Sequence, residues 1–144
     1  MFRQIIKVPG IKGKGNILMR NTGNKIIEEM KKLIKNDIEI EEIHVNNEDL
    51  EEQEELIHEN SFEAFEKNEL TIFLGGDEVI IEPIVLAFNE AFKGRRVRVL
   101  EKNTGIKIQE LFAGEDLKGL IVSEISEKDE KSIKLAAVVA VKIL

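Results

Sequence analysis

Leu70-Thr-Ile-Phe-Leu74 runs without a charge straight into Gly75-Gly76. A short run with no wet face must be covered on both sides, which is how a buried strand of a parallel sheet reads. The rest of the chain is therefore read for elements that could cover it. Ile26, Ile27, Met30, Leu33 and Ile34 recur at helical spacing and predict an amphipathic helix over 24–35. Pro83 suits a first helical turn, and Ile84, Ala87, Phe88, Ala91 and Phe92 form the buried stripe of a second helix. The last ten residues, LAAVVAVKIL, are apolar almost all round and predict a closing helix over 129–144, with Ser126 and Asp129 as a capping box.

Further strands are expected over 2–8, 38–45, 97–100 and 120–125, with 101–117 read as loop plus a short helix near 108–112. Of the 144 residues 42% are hydrophobic, enough for one core. Strands interleaved with helices predict a single α/β domain over 1–144: a three-layer α-β-α sandwich on a mostly parallel five-stranded sheet with right-handed crossovers.

Charge narrows the partners. Residues 48–69 hold ten acids against Lys67 alone, a net of −9 within a chain of −7, so the remainder carries +2. The segment reads as a solvated face, its first half as loop or poorly packed helix. An acidic surface repels phosphate backbones, so nucleic acid is not an expected partner. No stretch of 18 apolar residues occurs and the first seven residues carry charge, so a cytoplasmic protein without membrane contact is expected.

Ligands of parallel sheets sit outside the carboxyl ends of strands, which directs attention to residues 9–16, 75–78, 101–105 and 123–126. The glycines at 10, 13 and 15 lack the Gly-Lys-Ser/Thr ending of a phosphate loop. There is no Cys, so thiolate ligands and cysteine nucleophiles are excluded, and no G-x-S-x-G elbow occurs. His44 and His58 have no mutual ligand spacing and read as surface residues. Asp77, Glu78, Glu101 and Glu124 could converge at the strand ends, an oxygen-rich set suited to a hard cation such as Mg²⁺ or Mn²⁺.

The run LTIFLGGDEVIIEPIVLAF resembles the ureohydrolases (arginase, agmatinase, formimidoylglutamase), whose strand leads into Gly-Gly-Asp-His-Ser-Ile, a Pro and a helix. Gly75, Gly76, Asp77, Ile80 and Pro83 fit that pattern. Residues 122–126, Asp129 and the Ala-rich helix resemble the family's last strand, its Glu-Val-Ser-Pro segment and its closing helix. The opening strand, the glycine loop and Gly23-Asn24-Lys25-Ile26 resemble its first strand and helix start. The resemblance implies an arginase-like fold, and in the family a water activated between two manganese ions.

The departures bear on activity. The family's first His position holds Glu78. Of its Asp-x-His-x-Asp motif, Glu101 keeps a ligand type, while Asn103 stands for His and Gly105 for the second Asp. The Asp-x-Asp segment has no counterpart, and a family chain is about twice this length. Glu124 matches a carboxylate that contacts the guanidinium-type substrate, so it could pair with a guanidinium or amine.

The expectations are thus no catalytic residues, no dinuclear site and no cofactor. Glu78 and Glu101 are the ligands if a single Mn²⁺ or Mg²⁺ binds, and Asp77, Glu78, Glu101, Asn103 and Glu124 are the ligand-binding set. The protein would act as a truncated, inactive scaffold through self-association or a protein partner. The alternatives are a metal-dependent C–N hydrolase and a binding module for a small cationic amine or guanidino compound.

Overall fold

The structure, a computed structural model, describes residues 3–8, 21–34, 39–43, 49–75, 78–103 and 105–144. The described residues form an α/β fold with one six-stranded mixed sheet and four α-helices. In chain order these are β1 (Arg3–Lys7), α1 (Thr22–Leu33), β2 (Glu39–Glu42), α2 (Leu50–Lys67), β3 (Leu70–Leu74), α3 (Ile81–Ala91), β4 (Val97–Asn103), β5 (Lys107–Ala113), β6 (Asp116–Ser123) and α4 (Glu130–Ile143). The order across the sheet is β2-β1-β3-β6-β5-β4. Pairs β1–β2, β1–β3 and β3–β6 are parallel, while β5 runs antiparallel to both β4 and β6.

The expected five-stranded sheet is corrected here. Residues 107–113 form β5, a strand in place of loop and short helix, and β4 and β6 lengthen to meet it. Two glycines in the left-handed region close the hairpins. Gly105, φ 89°, lies in the β4–β5 turn, and Gly114, φ 62°, opens the two-residue turn between the paired Ala113 and Asp116. A register shift at Leu111/Phe112 breaks the alternation that would have marked β5 as a strand.

Side chains alternate along the strands into two buried clusters. Ile6, Val8, Phe73, Leu111 and Ile121 pack with α2 and α3 through Ile57, Phe65, Ile80, Ile84 and Phe88. Phe65 lies 5.4 Å from Phe73 and 5.2 Å from Phe88, ring centre to ring centre, in tilted contact. Ile5, Ile72, Leu74, Leu120 and Val122 pack with α1 and α4 through Ile26, Ile27, Met30, Ile133 and the alanines 136, 137 and 140. The LTIFL run is buried along its whole length, as its composition requires.

Of the two readings of the acidic segment's first half, loop or helix, the structure has the helix. Asp49 caps α2 by accepting from Glu51 N at 2.9 Å, and Glu51 and Glu52 in the first turn with Lys67 in the last turn complement the helix dipole. Gln53 and Ser61 share its buried face with Ile57, Ala64 and Phe65. The closing helix buries one side through Ile133, Ala136, Ala137 and Ala140, leaving Leu135 and Val138 partly exposed. Asp129 is its cap: the carboxylate accepts from Ser132 N and Oγ at 3.1 and 2.8 Å, bonds that hold it below the usual carboxylate range. Ser126 instead accepts from Lys128 N one turn earlier.

Candidate functional site

β4 and β6 both oppose β5, so they run in the same direction as β1, β2 and β3. The carboxyl ends of five strands therefore share one edge, and the amino end of β5 joins them there. Asn103, Lys107 and Ser123 stand opposite one another in register at this edge, with Glu101 opposite Gln109 one step inward. Directly opposed residues share a face. Leu111 and Ile121 place that face on the α2/α3 side.

Two of the acids named from sequence meet here through a residue that sequence reasoning passed over. Lys107 Nζ lies 3.0 Å from Glu124 Oε1 and 3.4 Å from Glu101 Oε1. Glu124 reaches it from just past β6 with φ 58°, the left-handed region that non-glycine residues rarely occupy. The hydrogen bond to Glu124 raises the Lys107 pKa above its ordinary value. Partial desolvation opposes the rise, and Glu101 adds to it. Lys107 is thus an ammonium throughout the neutral range, already seated between the two carboxylates.

Beside this triad the same sheet face carries two buried acceptors. Ser123 Oγ and Gln109 Oε1 have no hydrogen-bond partner among the described residues. A buried polar oxygen without a donor is uncommon and calls for a water or a ligand donor.

Of the other named residues, Asn103 shares the register of this edge, opposite Lys107. Glu78 opens a single 3₁₀ turn at Glu78–Ile80 ahead of α3 and is exposed. Asn103 is exposed at the end of β4. Asp77, His44 and the glycine loop lie outside the described residues. Among the described residues no three His, Asp or Glu side chains form a group that could hold a metal ion. His58 pairs with Glu90 at 3.1 Å, on the α2/α3 surface. No helix among them is long and apolar enough to cross a membrane.

Chemically, the triad is a pair of acids carrying its own counterion. A divalent cation would have to displace the ammonium, whereas an amine or guanidinium would take its place. The raised lysine has a pH signature. Its contribution to stability is fully present below the unfolded pKa, about 10.4, and is lost as pH rises through the higher folded value. Tm followed from pH 9 upward, on the order of one unit below to one above that pKa, is expected to fall less steeply for Lys107→Met than for the wild type.

No family model, curated protein or solved structure matches this chain.

Proposed function

We propose that this chain is a shortened ureohydrolase-like scaffold with an arginase-like three-layer fold, catalytically silent, working through association with itself or a protein partner. Support for the resemblance comes from adjacency. The segments that carry it, β1, β3 and β6 with α4, are neighbours in the sheet with the β1-β3-β6 order. The stretch laid on the second metal motif instead forms the β4–β5 hairpin, where Glu101 faces a lysine.

The observation that carries the silent reading is Lys107. Two metal ions need several anionic ligands to offset their charge and fix their geometry. Glu101 and Glu124 already pair with an ammonium, and among the described residues the other donors on that strip are a serine, a glutamine and Asn103. This donor set does not fit a dinuclear manganese centre, and no hydrolytic step is derived through one. A second reading is favoured by the unpartnered oxygens of Ser123 and Gln109. They would accept from a cationic amine or guanidinium that displaces Lys107 and pairs with Glu101 and Glu124. In a third, one divalent cation bridges Glu78 and Glu101.

Thermal unfolding of chelator-stripped protein, with and without excess Mn²⁺, Mg²⁺, Zn²⁺, arginine or agmatine, separates these readings. A site filled at a hundred times its dissociation constant stabilises by about 2.7 kcal/mol, an easily read shift. Wild-type protein is expected to show none. Lys107→Met, which leaves two carboxylates facing each other without their cation, is expected to lose stability and recover part of it on adding Mn²⁺. A metal-dependent shift in the wild type that Glu78→Ala or Glu101→Ala removes contradicts the silent reading. A shift with agmatine alone supports the amine reading.

A further inference from the structure

We propose that Glu101, Glu124, Ser123 and Gln109 form a binding site for an unbranched primary ammonium, and that the chain fills it with its own Lys107. This rests on the amine reading above, narrows the ligand to an alkylammonium, and makes the lysine a tethered competitor for it.

Two acids around a lysine are by themselves an ordinary surface ion pair. Here the same strip also holds two buried acceptors. Ser123 stands directly opposite Lys107 across the β5–β6 pair, and Gln109 is the next residue of β5 on the same face. Gln109 in turn stands opposite Glu101. Ser123 is 0% exposed and Gln109 5%, yet Ser123 Oγ and Gln109 Oε1 have no hydrogen-bond partner among the described residues. A lysine rooted in β5 meets the two carboxylates and leaves both of these oxygens unmet. An ammonium without that backbone attachment is free to settle lower and donate to a carboxylate and a buried oxygen together.

The backbone of Glu124 adds a second sign. It holds φ 58° while its carboxylate accepts from Lys107 at 3.0 Å. Strained non-glycine backbone persists where its surroundings over-determine it, commonly at ligand clamps.

The acceptors select ammonium over guanidinium. A guanidinium is planar and pairs best with one carboxylate through two parallel bonds. This strip instead offers single oxygens from separate side chains, which suit the three divergent donors of an ammonium. Truncating Lys107 to alanine removes the equivalent of n-propylammonium, which is therefore the probe. In the wild type the tethered group competes at an effective concentration on the order of millimolar or above.

Thermal unfolding at about pH 7, where a primary alkylamine is protonated, tests this in the wild type and in Lys107→Ala. Each is titrated with n-propylammonium, guanidinium and tetramethylammonium chloride at matched ionic strength. The Tm of Lys107→Ala is expected to rise saturably with n-propylammonium alone, by about 2–4 °C, while that of the wild type stays level. Adding Ser123→Ala to Lys107→Ala is expected to weaken half-saturation by about tenfold, and its own cooperative transition shows that it folds. Half-saturation that Ser123→Ala leaves unchanged overturns the part given to the buried oxygen. An equal rise with guanidinium overturns the ammonium assignment and leaves the broader cationic reading standing. So does an equal rise with tetramethylammonium, which carries the charge without an N–H. A rise in the wild type as large as in Lys107→Ala overturns the lysine as occupant. No saturable rise in either protein overturns the site and the amine reading together, and leaves the silent scaffold standing.

Discussion

Phe73→Ala is expected to lower the unfolding free energy by about 3–5 kcal/mol, the range for truncating a buried phenylalanine. That is a large part of the roughly 5–15 kcal/mol that holds a domain folded. Phe73 is fully buried in β3, in tilted contact with Phe65 from α2. Phe65 in turn meets Phe88 of α3, and Phe88 meets Phe92 at 5.0 Å. The ring at 73 thus joins the sheet to both helices on that face, and neighbours anchored on three separate elements cannot collapse into the space it leaves. Leu33→Ala, at a side chain 53% exposed on α1, is expected to change stability by no more than about 0.5 kcal/mol. Urea unfolding of the two variants beside the wild type checks both values.

Gly23→Ala is expected to destabilise by about 1–3 kcal/mol, the opposite of what helix propensity alone predicts. An alanine in a helix interior gains up to about 1 kcal/mol over glycine. At position 23, however, a Cβ would stand 2.8 Å from the backbone oxygen of Leu74. A strand carbonyl cannot swing aside as a side-chain tip can. Nor can the helix easily back away, because Thr22 Oγ1 donates to Ile125 O at 2.6 Å and Lys25 Nζ to Glu127 O at 2.9 Å. Those bonds tie the start of α1 to the β6–α4 connection, so relieving the clash would break them. Thermal or urea unfolding gives the sign. A stabilised Gly23→Ala would show that α1 does not approach β3 as closely as described.

Much of the fold was legible because burial on two faces leaves simple marks. LTIFL announced β3 by having no polar position, and α1 by the spacing of Ile26, Ile27 and Met30. The failures have equally local causes. In β5, Ile108, Leu111 and Phe112 sit at helical spacing, and the register shift at Leu111/Phe112 removes the two-residue alternation beyond it. Gly105 and Gly114, nine residues apart, were the signal that a strand lay between two turns. In α2 the buried face includes Gln53 and Ser61, so a count of apolar positions underestimates the helix, whereas the Asp49 cap was there to be read.

The site followed from the same error. The four acids were placed at strand ends, and Glu101 and Glu124 do come together. The lysine between them falls in a stretch that its sequence marks as loop. Only the antiparallel pairing of β5 with both neighbours sets Lys107 opposite Asn103 and Ser123, and no spacing along the chain reveals that. Its presence fills an apparent cation site with an ammonium of the chain's own.

In the proposed reading these residues do not assemble a dinuclear metal centre. Manganese bound per chain, counted after wild-type protein is equilibrated with Mn²⁺ and freed of excess ion, tests it most directly. The account predicts no stoichiometric manganese. Two ions retained per chain would contradict it, and would mean that Lys107 yields its place to metal.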